Sequence, residues 1–102
     1  MAGKSGFNKV TDFEWDQHNV NKNYTKHGVS EKEAEEVFFD SKAKSYPDPI
    51  HSHKETRKII IGKTGSGRIL FVVYTIRQNK IRVISARDIK KRKEGKLYEE
   101  TN

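Results

Sequence analysis

The chain has 102 residues, of which 34% are charged and 32% hydrophobic, and its formal net charge is +7. This length favours one domain, because two halves would each be too small to bury an adequate core. There is no cysteine, which excludes disulfides and thiolate metal sites and is compatible with a reducing cytoplasm. Neither an apolar leader nor the ~18 apolar residues of a membrane span are present, so we expect a cytoplasmic protein without membrane contact.

The charges are unevenly distributed along the chain. Residues 1–40 contain five Lys/Arg against eight Asp/Glu, a net charge of −3, whereas residues 41–102 contain 16 against six, a net charge of +10. A basic half of this kind is typical of proteins that bind polyanions, and phosphate backbones are the commonest of these. Solubilising surface charge explains the composition about equally well, so composition alone leaves the partner open.

The chain begins with a segment that shows no periodicity. We expect residues 1–11 to be a disordered or tag-like terminus, followed by one domain over residues 12–102. A short strand is predicted at residues 13–15. Asp16 can then cap a helix over residues 17–27, because its carboxylate can accept the free N–H groups of the first turn.

A second helix follows directly. Gly28 can end the first helix, since glycine adopts the left-handed conformation that such ends require. Ser30 and Glu33 have the spacing of a capping box, in which hydroxyl and carboxylate satisfy each other's backbone donors. Together with the apolar residues after them, they predict a helix over residues 31–40.

The second half of the sequence has the pattern of a sheet. Residues 46–50 contain both prolines, which predicts a short or edge strand. Strands are predicted at residues 56–63, 68–77 and 80–86, and the middle one is apolar on both faces, as central strands are. The short turns between these three require antiparallel neighbours.

A last helix is predicted from Asp88, as its cap, to about residue 99. The predicted fold class is therefore α+β. Two N-terminal helices would pack on a small antiparallel sheet of three or four strands, with a C-terminal helix at the end.

Alternation along the strands assigns several charged side chains to faces. Glu55 and Arg57 share one face of their strand, Arg77 lies on the face of Phe71, and Arg87 lies on the face of Ile81 and Val83 in its own strand. If these faces coincide, the four charged residues surround one patch. Guanidinium groups in such a patch can hold a scissile phosphate and stabilise the charge of its transition state.

Cleavage of RNA also needs groups that move protons. Glu55, His27 and Tyr98 can do so, one taking the proton of the 2′-hydroxyl and another protonating the leaving oxygen. A structural role for each stays open, because Arg at strand ends often forms surface ion pairs and His27 lies beside a helix end.

The order of several motifs is similar to that of one protein family. These motifs are Phe-Glu-Trp-Asp at residues 13–16, Lys-His-Gly-Val-Ser at 26–30, Val-Tyr-Thr-x-Arg at 73–77 and Arg-Val-Ile-Ser-Ala-Arg at 82–87. In combination, and over residues 13–99, they resemble the BrnT family of toxins.

The resemblance implies a ribonuclease of RelE-like fold from a type II toxin–antitoxin system. Such a toxin cleaves RNA and inhibits translation, and a BrnA-like antitoxin neutralises it in a complex expected to be a heterotetramer that binds DNA through the antitoxin. We expect no cofactor and no metal. The implied catalytic residues are Glu55, Arg57, Arg77 and Arg87, with His27 and Tyr98 as further candidates. The residues expected to bind RNA are Lys26, Arg82, Lys90, Lys91 and Arg92.

Two other functions stay open. A non-catalytic module that binds nucleic acid or protein would need the same basic patch but no proton carriers. A metal hydrolase could use His51 and His53, whose imidazoles would lie on one side of a strand with Asp48 nearby. A third ligand at convincing spacing is missing, so no metal site is predicted.

Overall fold

The computed structural model describes residues 12–48, 56–89 and 98. The terminus predicted at residues 1–11 therefore lies outside the described residues. So does most of the stretch predicted as the last helix. The described elements, in chain order, are β1 (Asp12–Glu14), α1 (Gln17–His27), α2 (Glu31–Val37), β2 (Lys44–Pro47), β3 (Lys58–Lys63), β4 (Ile69–Arg77) and β5 (Lys80–Asp88).

The strands form one sheet in the order β1-β5-β4-β3-β2. The neighbours from β2 to β5 are antiparallel, as their short connections predict, but β1 runs parallel to β5. The predicted antiparallel sheet of three or four strands is therefore wrong, because the sheet is mixed and has five. The parallel pair joins strands separated by most of the chain, and no turn signal in the sequence specifies such a pairing.

The predicted start of a last helix at Asp88 is also wrong. Asp88 is the final residue of β5, and its carboxylate binds the guanidinium of Arg68 instead of capping a helix. The described part of the chain thus contains two helices, α1 and α2. An Asp at a strand end can cap a helix only if its carboxylate has no stronger partner, and the guanidinium of Arg68, one residue before β4, is such a partner.

The starts of both helices and the end of α1 follow the predicted capping signals, whereas α2 ends at Val37 and not at the predicted residue 40. The Asp16 carboxylate accepts from the N–H of His18 at 2.8 Å, and Gly28 ends α1 with φ of 64°. Ser30 and Glu33 form both halves of the capping box of α2. Local hydrogen bonds of this kind depend on residues a few positions apart, so the sequence alone specifies them.

Two asparagines one turn apart attach α1 to the edge of β5. Asn19 donates to the carbonyl of Val83 at 3.4 Å, and the N–H of Ala86 donates to Asn23 Oδ1 at 3.2 Å. β1 pairs only with the first three residues of β5, so the later backbone groups on that edge need other partners. The two amides supply them, which explains why a helix interior contains a buried Asn23.

The helices cover one face of the sheet and bury its apolar side chains. This helix-side core contains Val29, Ala34, Val37, Phe38, Ile60, Leu70, Val72, Tyr74, Ile81, Val83 and Ala86. The opposite face, called the second face below, holds the alternate residues of β3 and β4, among them Ile61 and Phe71, which are paired with each other. Ile61 is 0% exposed although it is outside the helix-side core, and Tyr98 is likewise buried outside it.

One guanidinium group joins α1, α2 and β5. Arg68 binds both carboxylate oxygens of Asp88, at 2.7 and 3.1 Å, and donates to Glu33 at 3.2 Å. It also donates to the carbonyls of His27 and Gly28, at 2.8 and 2.9 Å. These carbonyls are among the groups that a helix end leaves without internal partners, so Arg68 completes the end of α1 while it holds two carboxylates.

We expect Gly62→Ala to destabilise the protein by about 1–3 kcal/mol, as overpacking typically does. A Cβ at Gly62 would lie 2.9 Å from both Cγ1 and the carbonyl oxygen of Val37, and the backbone of α2 cannot move away cheaply. Gly65→Ala is the matched control, because its Cβ would meet only the Glu36 carboxylate, at 3.5 Å. Thermal unfolding tests this, and equal melting temperatures of the two variants would contradict it.

We expect Arg68→Gln to lower the free energy of unfolding by about 2 kcal/mol at pH 7. The hydrogen bond from Arg68 holds the pKa of Asp88 below its ordinary value. A depressed carboxylate pKa stabilises the folded state above the unfolded value, and that stability is lost as the pH falls through the folded value. The difference between wild type and variant should therefore shrink below about pH 4.

Chemical denaturation at pH 7 and pH 3 measures the effect of Arg68→Gln. Lys58→Gln, which removes the same charge from an exposed position, is the control. An Arg68→Gln loss as small as that of Lys58→Gln, or one as large at pH 3 as at pH 7, would contradict the prediction.

Candidate functional site

Three of the predicted catalytic arginines share the second face. Arg77 is the last residue of β4 and alternates with Phe71 and Val73. Arg57 lies one residue before β3, and alternation assigns it to the face of Ile61. Arg87 is paired with Phe71 across β4 and β5.

Arg87 reaches the second face because strict alternation, which the sequence analysis assumed, is wrong for β5. The register shifts between Val73 and Tyr74, whose partners are Ser85 and Val83, so Ile84 is an extra residue. A bulge of this kind reverses the faces of the residues beyond it. Val83 is therefore buried in the helix-side core, whereas Arg87 lies on the other face.

The three arginines do not surround one patch, because they lie at two ends of the sheet. Arg87 is opposite Phe71, and Arg77 is six residues further along the same strand as Phe71. At the rise of a β-strand this separates Arg77 from Arg87 by about 20 Å along the strand. A single phosphate group cannot contact both guanidinium groups over that distance.

Arg57 is close to Arg77. The pairing of Lys58 with Tyr74, continued by one residue, places Arg57 opposite Thr75, and the Thr75 hydroxyl donates to the neighbouring Thr56 carbonyl at 2.8 Å. Diagonal neighbours on adjacent strands are about 7–8 Å apart. Arg57 and Arg77 are therefore near enough to contact one phosphate together.

The guanidinium of Arg87 has a fixed orientation. Its central carbon lies 4.2 Å from the centroid of the Phe71 ring, and its Nη1 donates to the carbonyl of Asp88 at 3.0 Å. An aromatic ring attracts a cation above its face, so the Phe71 ring and the Asp88 carbonyl together restrain the guanidinium.

Arg82, predicted to bind RNA, has a structural role. It forms ion pairs with Asp16 at 3.2 Å and with Glu14 at 3.7 Å, and its side chain is 22% exposed. These pairs connect β5 to β1 and to the first turn of α1. Its charge is balanced within the protein, which reduces its attraction for a polyanion.

Lys26 and His27 lie in the last turn of α1, and both are exposed. After the hydrogen bond from Arg68, the nearby His27 also lowers the pKa of Asp88, so the two side chains are close. Asp88 is paired with Leu70 of the helix-side core. His27 therefore lies at the end of the sheet that carries Arg87, but on the helix side. The structure does not bring it together with Arg57 and Arg77.

The Tyr98 hydroxyl donates to Asp40 Oδ2 at 2.8 Å, and the same oxygen accepts from the N–H of Lys63 at 2.8 Å. Burial and the Asp40 carboxylate together raise the pKa of Tyr98 to about 12. Burial alone would raise the pKa of Asp40, but the N–H groups of Lys63 and Lys42 hold it below its ordinary value. Tyr98 is thus protonated at neutral pH and attached to a charged carboxylate.

Several predicted residues lie outside the described residues, and the structure gives no position for them: Glu55, His51, His53, Lys90, Lys91 and Arg92. Over residues 12–48, 56–89 and 98, no group of three His, Asp or Glu side chains could hold a metal ion. In the same ranges no helix is long and apolar enough to span a membrane.

Sequence reasoning missed the contact between Phe71 and Arg87 and treated Phe71 only as an apolar residue of the central strand. Its partner is Arg87 because of the bulge in β5. Counted back from the turn at Gln78 and Asn79 without a bulge, Phe71 would be opposite Ala86. An aromatic residue and an Arg on consecutive strands were the available signal, but their pairing depends on one extra residue.

Comparison with known proteins identifies the family. Residues 15–93 match the family described as the ribonuclease toxin BrnT of type II toxin–antitoxin systems. The fold is similar to the crystal structure of the Brucella abortus ribonuclease toxin BrnT, with a TM-score of 0.61, 24% sequence identity, and coverage of 79% of this chain and 99% of that chain. None of the curated proteins matches the sequence. The chain therefore belongs to the BrnT family of type II toxin–antitoxin ribonucleases, for which an RNA substrate and an antitoxin partner are implied.

Proposed function

We propose that this BrnT-type toxin cleaves RNA on its second face without a metal ion, and that the cleavage inhibits translation in the cytoplasm. The carrying observation is that Arg57, Arg77 and Arg87 share the face opposite the two helices. On the helix side, α2 holds four Glu against one Lys, whereas α1 holds two Lys and no acidic residue. The guanidinium groups of the second face attract a polyanion to that face.

The cleavage centre in this proposal is the pair Arg57 and Arg77. The two side chains start from backbone positions about 7–8 Å apart. Their guanidinium groups can therefore both bind the non-bridging oxygens of one phosphate. Both then stabilise the additional negative charge that forms on these oxygens in the transition state. Arg87 binds RNA elsewhere on the same face.

The reaction in this proposal is an in-line transfer within the RNA. The 2′-oxygen forms a bond to phosphorus while the bond to the 5′-oxygen breaks, which leaves a 2′,3′-cyclic phosphate and a 5′-hydroxyl. A base takes the proton of the 2′-hydroxyl, and an acid gives one to the leaving oxygen. The atoms and charges of this reaction balance without an oxidant or a metal ion.

Glu55 is the base that we propose. It precedes Arg57 by two residues in the sequence, and Arg57 lies on the second face. The other predicted proton carriers have different surroundings, since His27 lies on the helix side and the Tyr98 hydroxyl donates to Asp40. A glutamate carboxylate is ordinarily charged at neutral pH and can accept a proton.

We also propose that a BrnA-like antitoxin neutralises the toxin in a heterotetramer that binds DNA through the antitoxin. The membership of the family supports an antitoxin partner. The four Glu of α2 support a protein partner that carries positive charge at this helix.

We expect Arg77→Ala to lower the rate of RNA cleavage by about 10²–10³-fold, as loss of a transition-state donor typically does. Expression of wild type without antitoxin should stop growth, and the variant should relieve the arrest. Lys58→Ala is the matched control, because Lys58 is an exposed cation adjacent to Arg57 whose partner Tyr74 lies in the helix-side core. Cleavage is measured in chelator, with identification of the product ends.

Several outcomes would contradict this proposal. Loss of cleavage in chelator would contradict the metal-free mechanism. Equal activity of Arg77→Ala and Lys58→Ala would contradict the proposed centre. Salt-dependent binding of RNA that stays intact would favour the non-catalytic binding module instead.

We expect Tyr98→Phe to cleave RNA within about threefold of the wild-type rate, because a hydroxyl with a pKa near 12 exchanges few protons at neutral pH. A raised tyrosine pKa stabilises the folded state fully below the unfolded value of about 10, and this stability is lost as the pH rises towards 12. Absorbance titration of the folded protein should show one fewer late-ionising tyrosine in the variant, which still contains Tyr74, whose pKa is raised by burial. A large loss of cleavage with unchanged stability would instead assign Tyr98 to proton transfer.

A further inference from the structure

We propose that the antitoxin docks on an exposed apolar patch of the helix side, formed by Phe39, Phe13, Trp15 and Ile76 and called the apolar corner below. The docking segment is basic and places an apolar side chain on this corner. The inference rests on the proposed antitoxin partner. It adds the surface that the antitoxin covers and the chemistry of the segment that covers it.

The described residues expose three large hydrophobic side chains, and two of them lie at the apolar corner. Phe39, which follows α2, is 78% exposed, and Ile76, near the end of β4, is 39% exposed. Ile76 is paired with Ile81, and Ile81 with Phe13, so these three residues form one row across β4, β5 and β1. At the spacing of neighbouring strands, Ile76 and Phe13 are about 10 Å apart.

The exposed Phe39 ring lies against this row. Its centroid is 6.2 Å from that of Phe13 in an edge-to-face arrangement, and Phe13 contacts the buried Phe38 in the same way at 5.5 Å. Trp15, two residues after Phe13, also packs against the helix-side core. The apolar corner is therefore continuous with the core. A contiguous apolar surface of this kind is typical of an interaction site, whereas a single exposed side chain is not.

Carboxylates border the apolar corner on the side of α2. The Trp15 Nε1 donates to Glu35 Oε2 at 2.8 Å, which places this carboxylate beside the indole ring. Glu31, one turn earlier on α2, is exposed. Arg68 balances the charge of Glu33, but within the described ranges no Lys or Arg forms an ion pair with Glu31 or Glu35. This border of the corner is therefore negative.

An apolar surface with a negative border fits a basic protein segment that has an apolar anchor. Lys or Arg of the segment can pair with Glu31 and Glu35 while an apolar side chain contacts Phe39. RNA is disfavoured, although its bases can stack on aromatic rings, because its phosphates would meet these carboxylates. A second copy of this chain is also disfavoured, because a twofold contact would bring two negative borders into one interface.

The location of the apolar corner explains how an antitoxin on the helix side can hinder a cleavage centre on the second face. Ile76 and Arg77 are consecutive at the end of β4, so they lie on opposite faces of the sheet. A partner anchored at the corner is therefore at the end of the sheet that carries Arg77. It reaches the second face by extending around the turn between β4 and β5.

The test measures binding of the antitoxin encoded beside the toxin gene. The antitoxin carries a fluorescent label, and anisotropy gives its dissociation constant from each purified toxin variant. We expect Phe39→Ser to weaken binding by about 30-fold, as loss of an interface hot spot does. Tyr24→Ser is the matched control, because Tyr24 is the third exposed large hydrophobic residue, at 66%, and lies on α1. Equal effects of the two substitutions would contradict the proposal.

The salt dependence of the same binding tests the negative border. Glu31→Gln should weaken the antitoxin complex by about threefold at low salt, and the effect should disappear near 1 M salt, where charges about 3 Å apart are already screened. The effect of Phe39→Ser should persist, because an apolar contact is not screened. Lys32→Gln, which removes a neighbouring cation from α2, should not weaken binding. Weaker binding by Lys32→Gln than by Glu31→Gln would contradict a basic partner.

Trp15 reports directly on the apolar corner, because it is the only tryptophan of the chain. Antitoxin whose own tryptophans are replaced by phenylalanine should shift the Trp15 emission to the blue and protect it from iodide. An unchanged Trp15 signal at saturation would contradict docking at this corner.

Two results would assign the apolar corner to another occupant and overturn the proposal. The first is a dimer of the toxin alone, seen in sedimentation, that Phe39→Ser dissociates. The second is a red shift of Trp15 emission in free toxin that carries Phe7→Ser, which would show that the first residues of the chain cover the corner.

Growth and cleavage assays separate this inference from the proposed function. Phe39→Ser should cleave RNA at the wild-type rate and should arrest growth at an antitoxin level that protects cells from the wild type. If the antitoxin binds wild type and Phe39→Ser equally, the docking surface is wrong and the antitoxin partner stands. If it does not bind wild type, both are wrong. Binding that depends on Phe39, together with intact RNA, would support the docking surface and contradict the ribonuclease centre.

Discussion

The arrangement of the helices on the sheet depends on the guanidinium of Arg68. It holds Glu33 of α2, Asp88 of β5 and two carbonyls at the end of α1, so two consecutive helices and a strand distant from them in sequence meet at one planar group. Arg can do this because its donors have a fixed fork geometry, which a lysine lacks. By engaging the carboxylate of Asp88, Arg68 also keeps that charge from opposing Arg87 on the other side of β5.

The two sides of the sheet differ in the charges that they carry. On the helix side, α2 holds four Glu against one Lys, whereas Arg77 and Arg87 lie on the second face. In the proposed function, RNA binds the second face and a protein that carries positive charge binds at α2.

The position of the candidate site depends on one extra residue in β5. Alternation along the strands could group Arg57 with Arg77, because β3 and β4 pair without interruption. Alternation assigned Arg87 to the face of Val83, but the bulge at Ile84 places Arg87 on the opposite face. Beyond the bulge, the N–H of Ala86 lies on the edge of β5 that β1 does not reach, and it donates to Asn23 Oδ1 of α1.

The sequence by itself determined the two capped helices, the antiparallel order of β3, β4 and β5, and the family. Each of these depends on residues close together in the chain, through caps, two-residue turns and local motifs. Only the tertiary structure decided the parallel pairing of β1 with β5, the role of Asp88 as a ligand of Arg68, and the separation of Arg77 from Arg87. These features depend on contacts between elements distant in sequence, where register and competing partners decide the outcome.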